Sequence, residues 1–299
     1  MRKFAKKIAT AALSLSLVFA VSTSCLGVTW QSYFGADAEP EPWYEGASGE
    51  LLNANNVTGF KANLNTVGWG GIWGGQVFLD ENTKLVNVKK GQTYTINFKA
   101  TSSNVNKYIY VKVATDEVLA TSFWVKIPAG SKGKTVKKTF KAKANANTVY
   151  FGMGGDVGDR ESVSTDKDAA IRYAVFKKDF KVDAVEGLAD DANGDYTAAT
   201  AITVSNFSLL PQVKISSAKS TKKNTVKVKI KKATTGIKKS VAGYQFKIGT
   251  KKVNKNKTTV TLKNKKFKSG KKVTVKVRAY SKSKKFYGPW SKAKKVRVK

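Results

Sequence analysis

From Val28 onward, apolar and polar side chains alternate with the two-residue period of a β-strand over most of the chain. The alternation is clearest in the runs 93–99, 107–113 and 135–142, and Gly, Asn, Asp and Lys residues cluster between such runs. Clusters of this kind form the turns between antiparallel strands. Because we find no amphipathic helix after the first 21 residues, the pattern predicts an all-β protein.

The spacing of the strand-like runs predicts two β-sandwiches in series. Short strands continue to about Leu210, and their number favours a two-sheet sandwich or a jelly roll. The stretch 154–195 interrupts them with an acidic, Gly-, Asp- and Ala-rich composition, which we interpret as long loops. Beyond Pro211, about ninety residues with five further alternating runs are typical of a small immunoglobulin-like sandwich.

The charges divide the chain at the same place. Every acidic residue precedes Pro211, and residues 211–299 contain 29 Lys and 2 Arg among 89 residues. Residues 23–210 contain 20 basic and 20 acidic residues, so their net charge is zero. We therefore predict a neutral binding domain followed by a cationic domain whose lysines occupy the solvent-facing positions of folded strands.

The first 24 residues have the pattern of a secretory signal peptide. A basic segment, residues 1–7, precedes an apolar run, residues 8–21, that is shorter than a typical membrane span. We therefore expect a bacterial protein, of Gram-positive type, that is secreted or held at the cell surface. Cys25 leaves a lipid-anchored form open, although Ser22 occupies the place where lipid-attachment motifs usually have an aliphatic residue.

The chain has no His and a single Cys. Ser-His-Asp and Cys-His catalysis, Cys/His zinc sites and intrachain disulfides are thereby excluded. A glycosidase needs only two carboxylates, but no motif marks such a pair, so we expect a binding protein and not an enzyme. Nucleic-acid binding is disfavoured by export, by the rarity of Arg and by the placement of Lys at alternate strand positions.

The segment 68–76 carries the sharpest local signal for a binding site. Trp69 and Trp73 lie among five glycines, which offer no side chains to pack against an indole ring. In an extended strand the two residues share a face at a spacing of about 13 Å, which suits two stacking platforms for pyranose rings. The alternative is that both fill the sandwich core beside glycine bulges.

Further aromatic and hydrogen-bonding residues of the neutral half complete the predicted ligand-binding set. Of the neighbours Phe123 and Trp124, alternation places one inward and one outward, whereas Trp30 is expected to pack in the core or at an edge. The set is Trp69, Trp73, Gln76, Trp43, Tyr44, Trp124 and Arg172.

One acidic loop is a candidate metal site. Asp191, Asn193 and Asp195 have the spacing with which an EF-hand loop begins, but the twelfth position is Ile202 and not Glu. The alternative is a hairpin turn rich in Asp and Asn. We expect no cofactor and keep a structural calcium ion at this loop as an alternative.

Several runs within residues 28–210 resemble the jelly-roll carbohydrate-binding modules of the family 4/9/22 type. They are 88–98, 136–142, 149–153 and 202–209. The resemblance implies a concave groove lined by Trp, Tyr, Gln, Asn and Arg. The residues compatible with that groove are Trp69, Trp73, Gln76, Trp124 and Arg172. Family members usually carry a calcium-binding Asp on the last strand, where this chain has Ser205 and Asn206.

Residues 211–299 resemble the Lys-rich fibronectin type III domains of clostridial secreted proteins. The runs 243–246, 270–280 and 287–291 carry this resemblance. Val273 stands where the family usually has its corner Tyr, and Ile230 replaces the strand-B Trp. Both positions are structural in the family.

The sequence thus predicts a signal peptide (1–24), a carbohydrate-binding jelly roll (25–210) and a basic fibronectin type III-like domain (211–299). The expected function is non-catalytic binding of a polysaccharide, a β-linked plant glucan, mannan or xylan, by a monomer. The cationic domain is expected to act as a spacer or to hold the protein on anionic cell-wall polymers. We expect neither a nucleic-acid partner nor a transmembrane segment in the mature chain. The alternatives are a cell-surface adhesin or structural wall protein, and a polysaccharide-degrading enzyme.

Overall fold

The computed structural model describes residues 30–34, 48–66, 75–79, 82–104, 107–115, 118–153, 200–283 and 286–299. Their regular structure consists of nineteen β-strands and a 3-10 helix at Lys238–Ser240. All pairings between these strands are antiparallel. None of the helical structure in these ranges is long and apolar enough to cross a membrane. The predicted all-β fold class is confirmed.

Ten of the first eleven strands build a jelly-roll-type sandwich of two five-stranded sheets. The front sheet has the order β1-β4-β10-β7-β8, and the back sheet has the order β2-β3-β11-β6-β9. The strands are β1 (Gln31–Phe34), β2 (Ser48–Leu52), β3 (Phe60–Thr66), β4 (Gly75–Leu79), β5 (Val86–Asn87), β6 (Thr93–Ser102), β7 (Lys107–Thr115), β8 (Val118–Ile127), β9 (Gly130–Lys141), β10 (Thr148–Gly152) and β11 (Thr200–Pro211).

Seven of the remaining eight strands build a smaller sandwich. A three-stranded sheet, β12-β13-β17, and a four-stranded sheet, β16-β15-β18-β19, enclose its core. The strands are β12 (Ile215–Lys222), β13 (Thr225–Ile230), β14 (Gly236–Ile237), β15 (Val241–Ile248), β16 (Lys251–Lys255), β17 (Thr259–Lys263), β18 (Lys272–Ser281) and β19 (Lys294–Arg297). The arrangement suits an immunoglobulin-like sandwich. The fibronectin type III resemblance stays a prediction.

Aromatic rings fill the centre of the first sandwich. Trp30 is fully buried, and its ring centroid lies 4.9 Å from that of Phe60 and 5.1 Å from that of Phe207. Phe151 joins the cluster from the front sheet, 5.7 Å from Trp30 and 5.3 Å from Phe98. Large apolar rings of this kind dominate the energy of a core. Of the two places expected for Trp30, the core and an edge, the structure has the core.

Strand β11 contributes to the cores of both sandwiches. Leu209 packs in the first core, and the next residue, Leu210, packs in the second. From the second half of the chain, Ile237 of β14 is fully buried in the first core, and β14 pairs with β5. Gly236 has φ 75°, and a Cβ there would collide with the carbonyl oxygen of Leu209. Glycine therefore allows β14 to lie directly against β11.

Most strand-like runs of the sequence coincide with strands of the structure, including β6, β7, β9, β10, β11, β13, β15 and β18. The sequence pattern did not predict β2, β3, β5, β12, β14 and β16. In β12 the register against β13 shifts twice, and these bulges break the two-residue period on which the sequence argument depends. The signal peptide and the long-loop interpretation of 154–195 lie outside the described residues, and the domain border at Pro211 stays a prediction.

An ionisable side chain is buried inside the first sandwich. Lys107, the first residue of β7, pairs with Ile127 and is fully buried. Burial disfavours the charged ammonium group and lowers the pKa of Lys107 from 10.5 to about 7. Lys107 is therefore largely neutral in the folded protein above pH 7 and charged in the unfolded chain up to about pH 10.4.

We predict that Ile237→Ala destabilises the whole chain by about 2–4 kcal/mol, because the substitution leaves a cavity in the first core. Urea unfolding followed by circular dichroism measures this change. Val118→Ala is the matched control, since Val118 is 60% exposed and its loss is expected to cost less than about 0.5 kcal/mol. Equal effects of the two substitutions would show that Ile237 does not support the first sandwich.

We also predict that stability rises with pH between pH 7 and pH 10, by up to about 1.4 kcal/mol per pH unit from Lys107. In this range the unfolded chain binds the proton that folded Lys107 has lost, so raising the pH favours folding. Below pH 7 both states are protonated and this contribution is constant. Urea unfolding at pH 7, 8 and 9 measures the slope, and Lys107→Met should reduce it. An unchanged slope in the variant contradicts the prediction.

Candidate functional site

The outer surface of the front sheet concentrates aromatic and polar side chains. Along β4, Val77 and Leu79 are buried toward the core, whereas Gln76 and Phe78 on the opposite side are partly exposed. The same alternation applies to the neighbouring strands. We call this surface the aromatic face; its described aromatic and polar side chains are Gln31, Tyr33, Gln76, Phe78, Tyr110, Lys112, Ser122, Lys126, Thr148 and Tyr150.

One row of residues crosses all five strands of the sheet. The ladder pairs Tyr33 with Gln76, Gln76 with Gly152, Gly152 with Tyr110, and Tyr110 with Trp124. Gly152 has no side chain, so the centre of the row is lower than its neighbours on either side. With neighbouring strands about 4.8 Å apart, the row is about 19 Å long. A row of this length can contact several rings of a linear ligand.

A second row runs parallel to the first, one pleat away. It pairs Gln31 with Phe78, Phe78 with Tyr150, Tyr150 with Lys112, and Lys112 with Ser122. The rings of Phe78 and Tyr150 are 5.7 Å apart at 39° to each other, and the Lys112 ammonium lies 5.4 Å from the centroid of the Tyr150 ring. Two adjacent rings and an attracted cation form a firm apolar platform with a hydrogen-bond donor beside it.

The exposure of the aromatic residues separates their roles. Tyr33, Phe78 and Tyr150 are partly exposed and can contact a ligand. Tyr110 faces the same side but is fully buried, so it supports its neighbours and does not meet solvent. A contact surface therefore centres on the Phe78–Tyr150 pair.

The chemistry of the aromatic face is neutral to weakly basic. Its described residues offer amide, hydroxyl and ammonium groups and no carboxylate, and Glu50 in β2 is the single acidic residue of the described ranges. No group of three metal-ligating side chains occurs within those ranges. Amides, hydroxyls and aromatic rings suit an uncharged ligand with many hydroxyl groups.

The structure places two of the seven predicted ligand-binding residues on strands of the front sheet. Gln76 lies on the aromatic face, next to Tyr33. Trp124 occupies the end of the first row, where its backbone pairs with Tyr110. The others, and the candidate calcium ligands, lie outside the described residues: Trp43, Tyr44, Trp69, Trp73, Arg172, Asp191, Asn193 and Asp195.

Sequence reasoning missed Tyr33, Phe78, Lys112 and Tyr150. A signal for them exists in the alternation itself, because Tyr150 lies between two buried residues of β10 and must point outward. Trp is rare in the sequence and therefore indicates a site more clearly than Tyr and Phe, which also occur throughout the core. Which outward residues become neighbours depends on the strand order, which the sequence does not reveal.

No protein-family model matches the chain, and a search of curated proteins finds no match. Among solved structures, the chain is similar to a carbohydrate-binding module of the CBM4 type, with 15% identity and a TM-score of 0.35 over 62% of this chain and 95% of that chain. It is also similar to the N-terminal cellulose-binding domain of Cellulomonas fimi β-1,4-glucanase C, with 14% identity and a TM-score of 0.32 over 62% of this chain and 90% of that chain.

A third similar structure is a β-1,2-glucanase from Parabacteroides distasonis, with 10% identity and a TM-score of 0.30 over 91% of this chain and 37% of that chain. The first two structures belong to the class that the sequence motifs resemble.

Proposed function

We propose that the protein binds a polysaccharide on the aromatic face without acting on it chemically. The observation that supports this proposal is the partly exposed Phe78–Tyr150 pair, with Lys112 beside it and glutamines on the neighbouring positions. Pyranose rings present apolar C–H faces that pack on aromatic rings, while amide and ammonium groups form hydrogen bonds with their hydroxyls.

The shape of the face favours a chain over a single sugar. Both rows cross all five strands, and Gly152 leaves a low point between Gln76 and Tyr110. A linear ligand lying along a row therefore contacts several side chains in succession. We propose a β-linked plant glucan, mannan or xylan as the ligand.

The rest of the chain fits a protein that works outside the cell. We propose that the N-terminal segment directs export and that the mature protein is a monomer, secreted or associated with a bacterial cell surface. The small sandwich, with 29 Lys and no acidic residue, then acts as a spacer or holds the protein on anionic cell-wall polymers. Retention of this kind weakens as salt is added.

Two alternative functions belong to different classes. In an adhesin or structural wall protein, sugar binding is incidental and the Trp residues are buried, so a soluble quencher leaves their fluorescence unchanged. In a polysaccharide-degrading enzyme, reducing ends accumulate during incubation with the glycan. The aromatic face favours neither alternative, because it presents partly exposed rings and its described residues include no carboxylate pair.

We predict that Tyr150→Ala and Phe78→Ala each weaken binding to the best soluble glycan by about tenfold or more, because each removes half of the aromatic platform. Affinity electrophoresis in gels containing glucan, mannan or xylan measures the dissociation constants. Tyr287→Ala, which removes a ring from the small sandwich, is the matched control and should leave glycan mobility unchanged. Equal retardation of all three variants and the wild type refutes the assignment to the aromatic face.

We further predict that Trp69→Ala and Trp73→Ala reduce retardation in the same gels, since indole rings are strong stacking platforms for sugars. Thermal unfolding of each variant serves as the control for folding. If the wild-type protein itself shows no retardation with any glycan of the panel, the proposed function is wrong.

A further inference from the structure

Three lysines lie side by side on the solvent face of the four-stranded sheet of the small sandwich. In the ladder, Lys252 of β16 is directly opposite Lys247 of β15, and Lys247 is directly opposite Lys276 of β18. All three point away from the core, to which Phe246 and Val277 belong. We call these three residues the lysine row. Neighbouring positions in it are about 4.8 Å apart at the backbone.

Such an arrangement lowers the stability of the free protein. Like charges directly opposite each other in a sheet are destabilising. The sequence offers no compensation nearby, because residues 211–299 contain no Asp or Glu. On the three-stranded sheet the longest comparable run is the pair Lys219–Lys227, whose next neighbour is the neutral Thr261. A row of three therefore favours a ligand that brings negative charges in succession.

Further cations extend the lysine row along the sheet. Lys295 of β19 pairs with Thr274, and Arg297 pairs with Lys272, on the same side of β18 as Lys276. Outward positions of a strand recur every second residue, at about 6.7 Å. The positive charges thus form a band across the sheet and along its last two strands, which suits a linear polymer better than a single small anion.

Next to the lysine row, on the same face of the sheet, a hydrogen-bonded cluster links β15, β16 and β18. The guanidinium carbon of Arg278 lies 3.8 Å from the ring centroid of Tyr287 and 4.3 Å from that of Trp290. Its Nε and Nη2 atoms donate hydrogen bonds to Oε1 of Gln245, and Nε2 of Gln245 donates to Oδ1 of Asn254. Arg278 thus covers one face of each ring, so only the other face is left for a ligand.

We propose that the lysine row binds a linear polyanion that carries phosphate groups and no bases. Lysine is a compact point charge that contacts phosphate without the bidentate geometry with which Arg reads planar groups. The inference deepens the proposed retention on anionic cell-wall polymers and rests on it. It assigns that role to one face of the small sandwich, separate from the aromatic face.

The test compares two triple variants that remove the same charge from opposite sheets. The first is Lys247→Gln, Lys252→Gln and Lys276→Gln. The matched control is Lys222→Gln, Lys229→Gln and Lys263→Gln, in which each lysine lies opposite neutral residues of the three-stranded sheet. Binding of the full chain to long-chain inorganic polyphosphate is measured by fluorescence anisotropy over a series of salt concentrations.

We expect the lysine-row variant to bind polyphosphate at least about tenfold more weakly than the wild type, and the control variant to lose less than about threefold. The slope of log affinity against log salt should become shallower by about two in the lysine-row variant. The variant has lost three phosphate contacts, so its binding releases fewer counterions. The same variant should unfold at a higher temperature than the wild type in low salt without polymer, since it lacks the repulsion within the row.

Each contrary result has a separate meaning. If the wild type does not bind polyphosphate at all, both the retention role and this inference are wrong. If it binds and the two variants lose affinity equally, the charge acts diffusely and the assignment to the lysine row is overturned. If oligo-dT binds through the row more tightly than polyphosphate of equal charge, the ligand has bases and the proposal is also overturned. Glycan retardation of both variants should match the wild type.

Discussion

The packing of Phe151 against the aromatic rings of both sheets determines what the front sheet presents to solvent. Phe151 contacts Trp30, Phe60 and Phe207 inside the first sandwich. Because side chains alternate along a strand, this inward ring forces Tyr150 outward. A shift of β10 by one residue would exchange Tyr150 and Phe151 and would destroy the core and the aromatic face together. The same contacts that stabilise the fold therefore fix the proposed binding surface.

The junction between the sandwiches depends on a second feature of the same kind. Strand β11 turns Leu209 toward one core and Leu210 toward the other, and Ile237 returns from the small sandwich to fill the first core. Hydrogen bonds reinforce this contact, since Nδ2 of Asn87 donates to the carbonyl oxygen of Thr234. The net charge of the chain changes sharply at Pro211, but the two sandwiches pack against each other across this position.

The sequence was sufficient for the fold class because alternation is a local property. Long strands such as β6 and β18 show their period of two without help from the rest of the chain. Strand β14 is only two residues long and has no period, so the insertion of Ile237 was not predictable. The candidate site has the same dependence on distant partners. Alternation indicates that Tyr150 faces outward, but only the strand order places it beside Phe78 and Lys112.

The continuity of β11 also has a mechanical consequence. Only Gln212, Val213 and Lys214 separate β11 from β12, and Nε2 of Gln212 donates a hydrogen bond to the carbonyl oxygen of Trp290. A load applied between a ligand on the first sandwich and a surface held by the second would pass along β11 and its ladders with β3 and β6. Those hydrogen bonds lie perpendicular to the strand and would be sheared together instead of opening one at a time. Such a load would therefore be shared by many hydrogen bonds of the first sandwich at once.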